Sequence, residues 1–176
     1  IRDGERRKIM FVDEDAIAAV KMYNVMKGRR PMKYVAPAPG KSDLFSAELG
    51  LRPSTYFIFR IIDVDGYTPE SGKNAGKKMT NVPKFYVVGA RVYEQIKLQC
   101  VDITGEKLNS GYVLACRSGS GTSSVYTFMP RPGVKTPAIK AAIMKFPKWT
   151  DYYAPLSLSQ QQAVLQSSGN PDESDD

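Results

Sequence analysis

The chain has 176 residues, of which 42% are hydrophobic and 24% are charged, and this is the composition of a folded globular domain. It contains no histidine and only two cysteines, which excludes the usual zinc-ligand sets and every catalytic triad built on histidine. The formal net charge is +7, and no apolar run approaches the ~20 residues that cross a bilayer. We therefore expect a soluble, intracellular protein that has no membrane partner and needs no cofactor.

Charge is distributed unevenly along the chain. All 25 lysines and arginines precede Trp149, whereas four of the 18 acidic residues follow Pro171. Residues 1–171 therefore carry 25 basic and 14 acidic residues, a formal charge of +11. A basic body attracts polyanions through counterion release, and an acidic tail is typical of an interaction segment. The partner-binding residues predicted in the tail are Asp172, Glu173, Asp175 and Asp176.

The first elements are a predicted strand and a predicted helix. The strand covers residues 6–12 and ends at the acidic residues 13–15, whose carboxylates suit a helix N-terminus. Apolar residues at helical spacing then predict a helix over residues 16–28. Residues 29–35 are predicted to be extended, and Pro31 confines them to a sheet edge or a loop margin.

A proline- and glycine-rich excursion separates these elements from the strongest strand. The excursion covers residues 36–53 and contains one short apolar segment, at 44–47, that predicts a helical turn. Residues 55–63 are rich in aromatic and β-branched residues and predict a strand. Alternation places Tyr56 and Arg60 on one face of that strand, opposite the predicted core residues Phe57, Phe59 and Ile61.

The second half of the chain begins with its most basic loop. Residues 65–81 have no apolar period and predict a mobile loop, after which residues 83–88 predict a strand. A helix is predicted over residues 90–99, with a core-facing stripe of Val92, Tyr93, Ile96 and Cys100. A hairpin follows over residues 111–130, and its turn uses the small residues Gly119 and Gly121. Two short helices are predicted over residues 138–146 and 160–166.

These elements together predict a mainly β fold with a few helices. Five or so strands, one well-marked helix before the last hairpin and long basic loops are typical of the OB-fold, a five-stranded partly open barrel. A mixed α+β sandwich fits the same elements. The binding domain is predicted to occupy residues 1–155, and residues 156–176 are predicted to form a C-terminal tail with a disordered acidic end.

The order of these elements resembles that of the phage-type single-stranded DNA-binding proteins, the family of the T4-type helix-destabilising protein. The resemblance covers residues 83–130 well and residues 6–135 loosely. Its most specific segment is residues 117–121, followed by Tyr126, Thr127 and Pro130. The other segments are the aromatic strand 56–62, the strand 85–88 that runs into a helix with Tyr93 and Ile96, and residues 102–105 followed by Gly111 and Tyr112.

The resemblance implies a protein that binds single-stranded DNA without strong sequence preference during phage DNA replication and recombination, in the cytoplasm of the infected cell. It also implies that the acidic tail recruits replication or recombination proteins and keeps the DNA groove from non-productive contacts. Several family members carry a Cys/His zinc cluster in the segment corresponding to residues 34–53, where this chain has neither residue. We therefore predict no metal.

Sequence-tolerant binding of a single strand requires aromatic faces for the bases and cations for the phosphates. The stacking residues predicted here, each on a strand that can turn it outward, are Tyr56, Tyr86, Tyr112 and Tyr126. The predicted phosphate contacts are Arg60, Lys73, Lys77, Lys78, Lys84 and Arg117. An RNA ligand stays open because nothing identified here reads a 2′-hydroxyl group, and self-association also stays open.

Two other classes of function are an enzyme and a structural or adaptor protein. An enzyme is not expected, because no nucleophile, base and oxyanion set can be assembled. The acidic residues 13–15 and the pair Asp63 and Asp65 are expected to be helix-start or turn carboxylates rather than metal ligands. The main alternative is a virion structural or adaptor protein, in which the same barrel is a scaffold for protein–protein contacts.

Overall fold

A computed structural model describes residues 4–27, 30–119 and 124–168. The protein is mainly β, with one open antiparallel sheet of seven strands and a few helices. The sheet order is β3-β2-β4-β1-β6-β7, and β5 pairs with β4. The strands are β1 (Arg6–Phe11), β2 (Ala18–Lys27), β3 (Arg30–Val35), β4 (Ser54–Asp63), β5 (Val82–Gly89), β6 (Tyr112–Ser118) and β7 (Val125–Arg131).

Four α-helices accompany the sheet within the described ranges. They are α1 (Leu44–Leu49), α2 (Ala90–Lys97), α3 (Pro137–Ile143) and α4 (Leu158–Ser168). A π-helical turn, Leu98–Asp102, prolongs α2, and a 3₁₀ turn covers Trp149–Asp151. The predicted strands at residues 6–12, 55–63 and 83–88, the hairpin of 111–130 and the helices near 90, 138 and 160 are thereby confirmed. The edge position of β3 is confirmed as well.

The helix predicted over residues 16–28 is wrong, because this segment is strand β2. It pairs antiparallel with β3 from Met22 opposite Val35 to Lys27 opposite Arg30. Tyr23 and Val25 are each 2% exposed, so the alternation of a strand, rather than a helical stripe, buries them. Backbone pairing with a neighbouring strand has overridden the local helical pattern.

The acidic residues 13–15 consequently start no helix. The Asp13 carboxylate accepts hydrogen bonds from Nε and Nη2 of Arg60 at 2.9 and 2.5 Å. Glu14 forms an ion pair with Lys107 at 2.7 Å. Asp15 lies 3.1 Å from Lys97 Nζ. Partial burial acts to raise the pKa of Asp15, but hydrogen bonds from the Ala16 N–H and from Lys97 and Tyr93 outweigh it and lower the pKa below its ordinary value.

The predicted OB-fold-like, five-stranded partly open barrel is not confirmed, because the sheet is not closed and has seven strands. The free edge of β7 is covered by side chains from α2 and its π-helical extension. Gln99 Oε1 accepts the Phe128 N–H at 2.6 Å, and Arg91 Nη2 donates to Ser124 O at 2.9 Å. Pro130 carries no N–H group, so this edge offers few groups for pairing with another strand.

Contacts group the chain into two compact units. The first contains the residues up to Ala18 together with Phe57–Pro147. Its main core combines one face of the sheet with α2, and a second cluster packs α3 on the opposite face. The buried residues of the main core are Ile9, Phe11, Phe59, Ile61, Val88, Ile96, Cys100, Leu108, Val113, Ala115 and Phe128. Those of the second cluster are Met10, Val12, Ile62, Ile139 and Ala142.

The second unit contains Ala19–Tyr56 and the chain from Lys148 onward. Its core is formed by Tyr23, Val25 and Phe45, on which residues of α4 pack. The buried Gln161 side chain accepts the Leu44 N–H at 2.9 Å and donates to Leu156 O at 3.1 Å, which ties α4 to the start of α1. The division predicted at residue 155, between a binding domain and a tail, stays a prediction.

The four acidic tail residues and Gly121 of the hairpin turn lie outside the described residues. Among the residues that are described, no helix has the length and apolarity needed to cross a membrane.

Candidate nucleic-acid interface

One end of the first unit gathers charged and aromatic side chains. In five strands, these residues follow buried residues along the face of the main core. They are Arg7 in β1, Asp63 in β4, Lys84 and Tyr86 in β5, Arg117 in β6 and Tyr126 in β7. Together with Glu5 they form the mouth, which contains a cavity of about 260 Å³ lined by Glu5, Arg7, Asp63, Lys84 and Tyr86 among others.

A buried carboxylate organises the cations of the mouth. Asp63 is 3% exposed, and its Oδ2 lies 2.6 Å from Lys84 Nζ and 3.5 Å from Arg7 Nη1. Its Oδ1 accepts the Gly66 N–H at 3.0 Å, which confirms the predicted role of Asp63 as a turn carboxylate. Arg7 also pairs with Glu5 at 2.6 Å. Asp63 therefore holds two cations at fixed positions beside the cavity.

The basic loop of residues 65–81 begins at the mouth. Arg7 donates to the Gly66 carbonyl, and Lys84 Nζ lies 5.0 Å from the centroid of the Tyr67 ring. An isolated bridge between Tyr67 and Met79 closes the base of the loop. Gly66 has a φ of 63°, and a Cβ there would lie 1.7 Å from Met79 O, so the turn requires glycine.

The lysines predicted for phosphate contact in this loop are exposed. Lys73, Lys77 and Lys78 all lie on the solvent side of the segment, beyond the bridge that closes it. Within the described ranges, their ammonium groups form no ion pair. The loop therefore adds exposed positive charge beside a mouth whose own cations are held in place.

Arg117 and Tyr126 face each other across the β6–β7 hairpin. They are direct partners in the strand register, and the Arg117 guanidinium lies 5.7 Å from the Tyr126 ring centroid. Arg117 also donates from Nη2 to Ser124 Oγ at 2.9 Å. The Tyr126 ring is half-buried and lies nearly parallel to that of Phe128. An arginine stacked near an aromatic ring is an arrangement that suits both a phosphate and a base.

Tyr86 is the most enclosed aromatic residue of the mouth. Its hydroxyl oxygen is buried and has no hydrogen-bond partner in the described part of the chain. Burial, and secondarily the nearby Tyr126, raises the pKa of Tyr86, although Arg117 acts in the opposite direction. A buried hydroxyl without a partner is costly, so a ligand or water that reached it would gain a hydrogen bond.

The structure brings together only part of the predicted set. Lys84, Tyr86, Arg117 and Tyr126 meet at the mouth, and the three loop lysines belong to the segment that starts there. Arg60 and Tyr112 lie on the opposite face of the sheet, where Arg60 pairs with Asp13 and Lys8 Nζ sits 4.1 Å from the Tyr112 ring centroid. Their side chains are therefore engaged away from the mouth.

Tyr56 belongs to the second unit. It is half-buried, its hydroxyl accepts from Asn24 Nδ2 at 2.7 Å, and Lys33 Nζ lies 4.9 Å from its ring centroid. Its role in DNA binding stays a prediction, separate from the mouth.

Arg7 of the mouth and Tyr67 of the basic loop were not found from the sequence. Arg7 alternates with Ile9 and Phe11 in β1, so the period of that strand already placed it on the core face. Tyr67 is 41% exposed and lies in a loop without apolar period, so no sequence signal marked it. In the described residues, no three carboxylates or thiols lie close enough to hold a metal ion.

Comparison with known proteins adds no further assignment. No family model, no curated protein and no solved structure matches the chain.

Proposed function

We propose that the protein binds single-stranded DNA without strong sequence preference, with the mouth and the basic loop as the binding surface. The observation that carries this proposal is that two cations and two aromatic residues meet at one end of the unit, namely Lys84, Tyr86, Arg117 and Tyr126. Lys84 and Tyr86 line the cavity, and Tyr126 and Arg117 lie close enough to Tyr86 to affect its pKa. These residues come from three strands, and alternation in each strand brings them to the same end of the unit. Cations for phosphates and aromatic rings for bases are the two parts that such binding needs.

Each part of this surface has a role in the proposed binding. Tyr126 is the base-stacking residue, and Arg117 beside it neutralises a phosphate. Arg7 and Lys84, which line the cavity, contact the DNA backbone there, and Asp63 holds them in place. The exposed loop lysines steer the strand toward the mouth and follow its phosphates. None of these contacts reads a base edge, so sequence tolerance follows.

An OB-like arrangement is the finer fold that we propose. The strands β5-β4-β1-β6-β7 form a continuous path of five, with α2 between the third and fourth of these strands in chain order. This is the strand number and helix placement expected of a partly open barrel, whose ligands bind across the second and third strands and adjoining loops. Strands β2 and β3 are then an inserted hairpin.

The biological setting rests on the sequence resemblance. As in phage single-stranded DNA-binding proteins, we propose that the protein protects the strand during DNA replication and recombination in an infected cell. The acidic residues 172–176 would recruit replication or recombination proteins and compete with the strand for the basic surface.

Fluorescence anisotropy of a labelled ~30-nucleotide oligo(dT), titrated at several salt concentrations with duplex competitor, tests the proposal. We expect binding that weakens steeply with salt and that duplex displaces poorly. Removal of residues 172–176 is expected to tighten binding, because it removes a competing polyanion. No binding at low salt would refute the proposal and favour the virion structural or adaptor function.

A further inference from the structure

Several basic side chains of the first unit lie around α3, which packs on the face of the sheet opposite the main core. Between Lys107 and Thr150 the chain has no acidic residue. The α3 surface is the part of this stretch that surrounds α3, and it consists of Arg131, Val134, Lys135, Lys140, Met144 and Lys145. Arg131, Lys140 and Lys145 are exposed, and Lys135 is half-buried.

These four cations differ from those of the mouth in being unpaired. In the described part of the chain, none of them forms an ion pair or a side-chain hydrogen bond. On this face of the sheet the Asp13 carboxylate is already used, because it binds Arg60, whose guanidinium lies over Phe146. Arg131 shares a pocket with Glu106, whereas Lys135, Lys140 and Lys145 have no acidic partner in the described part of the chain.

The core side of α3 explains why this charge faces outward. Ile139 and Ala142 are 2% and 6% exposed and pack against the sheet, so Lys140 and Met144, which is 86% exposed, occupy the outer side of the helix. The buried side fixes the helix, which holds Lys140 on the surface, and the turn in which the Lys145 N–H donates to Ala142 O holds Lys145 beside it.

The α3 surface has no free aromatic ring. Tyr112 has Lys8 over its ring and donates its hydroxyl hydrogen to Val134 O at 3.1 Å. Phe146 packs against Phe85 and lies under the Arg60 guanidinium. A surface with cations but no stacking platform attracts phosphates without distinguishing paired from unpaired bases.

We propose that the α3 surface is a second nucleic-acid contact, which binds the phosphate backbone of duplex DNA. Charge complementarity with a polyanion favours this ligand, since four free cations lie within 15 residues of chain and no acid interrupts them. The surface is on the face of the sheet opposite the main core, so its use does not depend on the mouth.

The double variant K140E/K145E, titrated with a labelled 20-base-pair duplex at about 50 mM salt, tests this proposal. Each lost phosphate contact reduces duplex affinity about tenfold at this salt concentration and makes the salt slope shallower by about 0.9. The control K41E/R52E makes the same change in net charge at two exposed residues of the second unit. We expect it to change duplex affinity less than threefold.

A six-nucleotide oligo(dT) separates the α3 surface from the mouth. We expect K140E/K145E to change its affinity less than threefold, whereas Tyr126→Leu weakens the oligo(dT) and leaves duplex binding unchanged. Equal losses of duplex affinity in K140E/K145E and K41E/R52E would overturn the proposal, since only net charge would then matter. Unchanged duplex affinity in K140E/K145E would overturn it too, and would direct attention to an acidic protein partner. Failure of oligo(dT) binding alone would refute the mouth and not the α3 surface.

Discussion

Asp63→Asn should lower stability and at the same time tighten DNA binding. Asparagine keeps a carbonyl oxygen for the Gly66 N–H but loses the charge that holds Lys84 and Arg7. A hydrogen bond to a charged group contributes about 1.5–3 kcal/mol, and the 39% exposure of the Lys84 side chain reduces that value by solvent screening. We expect the free energy of unfolding to fall by about 1–2 kcal/mol.

The gain in binding follows from removal of the Asp63 charge, which partly neutralises Lys84 and Arg7, the two cations that contact the strand. Each additional positive charge that becomes available to the phosphates makes the slope of log K against log salt more negative by about 0.7 for a single strand, which is about fivefold in affinity at 0.1 M salt. The assays are urea unfolding for stability and oligo(dT) anisotropy at five salt concentrations for binding.

Asp15→Asn is the matched control. It raises the net charge by the same amount at an ion pair on α2, where Asp15 meets Lys97. Its salt slope should equal that of the wild type. An Asp63→Asn variant with weaker binding and an unchanged slope would refute the reasoning, because Arg7 and Lys84 would then be structural residues that contact no phosphate.

Three further predictions concern the fold. Gly72→Ala should destabilise the protein by about 1–2 kcal/mol, because the residue has a left-handed backbone but open space around it. Gly66→Ala should destabilise it more, because the new methyl group also meets a carbonyl oxygen. Equal losses of unfolding free energy in urea would contradict this. Burial raises the pKa of Cys100 to about 12, so under native conditions at pH 8 a thiol reagent should label the half-buried Cys116 first, and rapid labelling of both would contradict the packing. Because the pKa of Asp15 is lowered, its ionised carboxylate stabilises the fold at any pH above the ordinary pKa of an aspartate. This stabilisation is lost as the pH falls below about 4, so Asp15→Asn should flatten the acid limb of the curve of unfolding free energy against pH. Parallel curves for the variant and the wild type would disprove it.

The sequence predicted the elements whose side chains carry an unambiguous period. Strand β4 combines aromatic and β-branched residues, and α2 has apolar residues at helical spacing, so local pattern and tertiary packing agree in both. Strand β2 was missed because Ile17, Val20 and Tyr23 also fit a helical stripe. Only its pairing with β3 identifies this segment as a strand, and no local sequence pattern reports that pairing.

In the mouth, too, local pattern predicted some features, whereas contacts between strands could not be predicted. Alternation alone placed Lys84 beside Tyr86 in β5, and the hairpin pattern put Arg117 at the turn. The strand register, which the sequence did not predict, brings Arg117 opposite Tyr126. The turn role of Asp63 was predicted, but its ion pairs with Lys84 and with Arg7 were not, because they join different strands. Ion pairs of this kind depend on strand order, which the sequence left open.

The most direct test of the central claim compares two tyrosine variants in oligo(dT) binding at one salt concentration. Tyr126→Leu removes the stacking face of the mouth, and Tyr152→Leu removes a tyrosine of the second unit that is 65% exposed. A stacked base contributes about 1–3 kcal/mol, so Tyr126→Leu should weaken binding about 5- to 140-fold, while Tyr152→Leu should stay within twofold of the wild type. Equal affinities of the two variants would contradict the assignment of the mouth as the site where the strand binds.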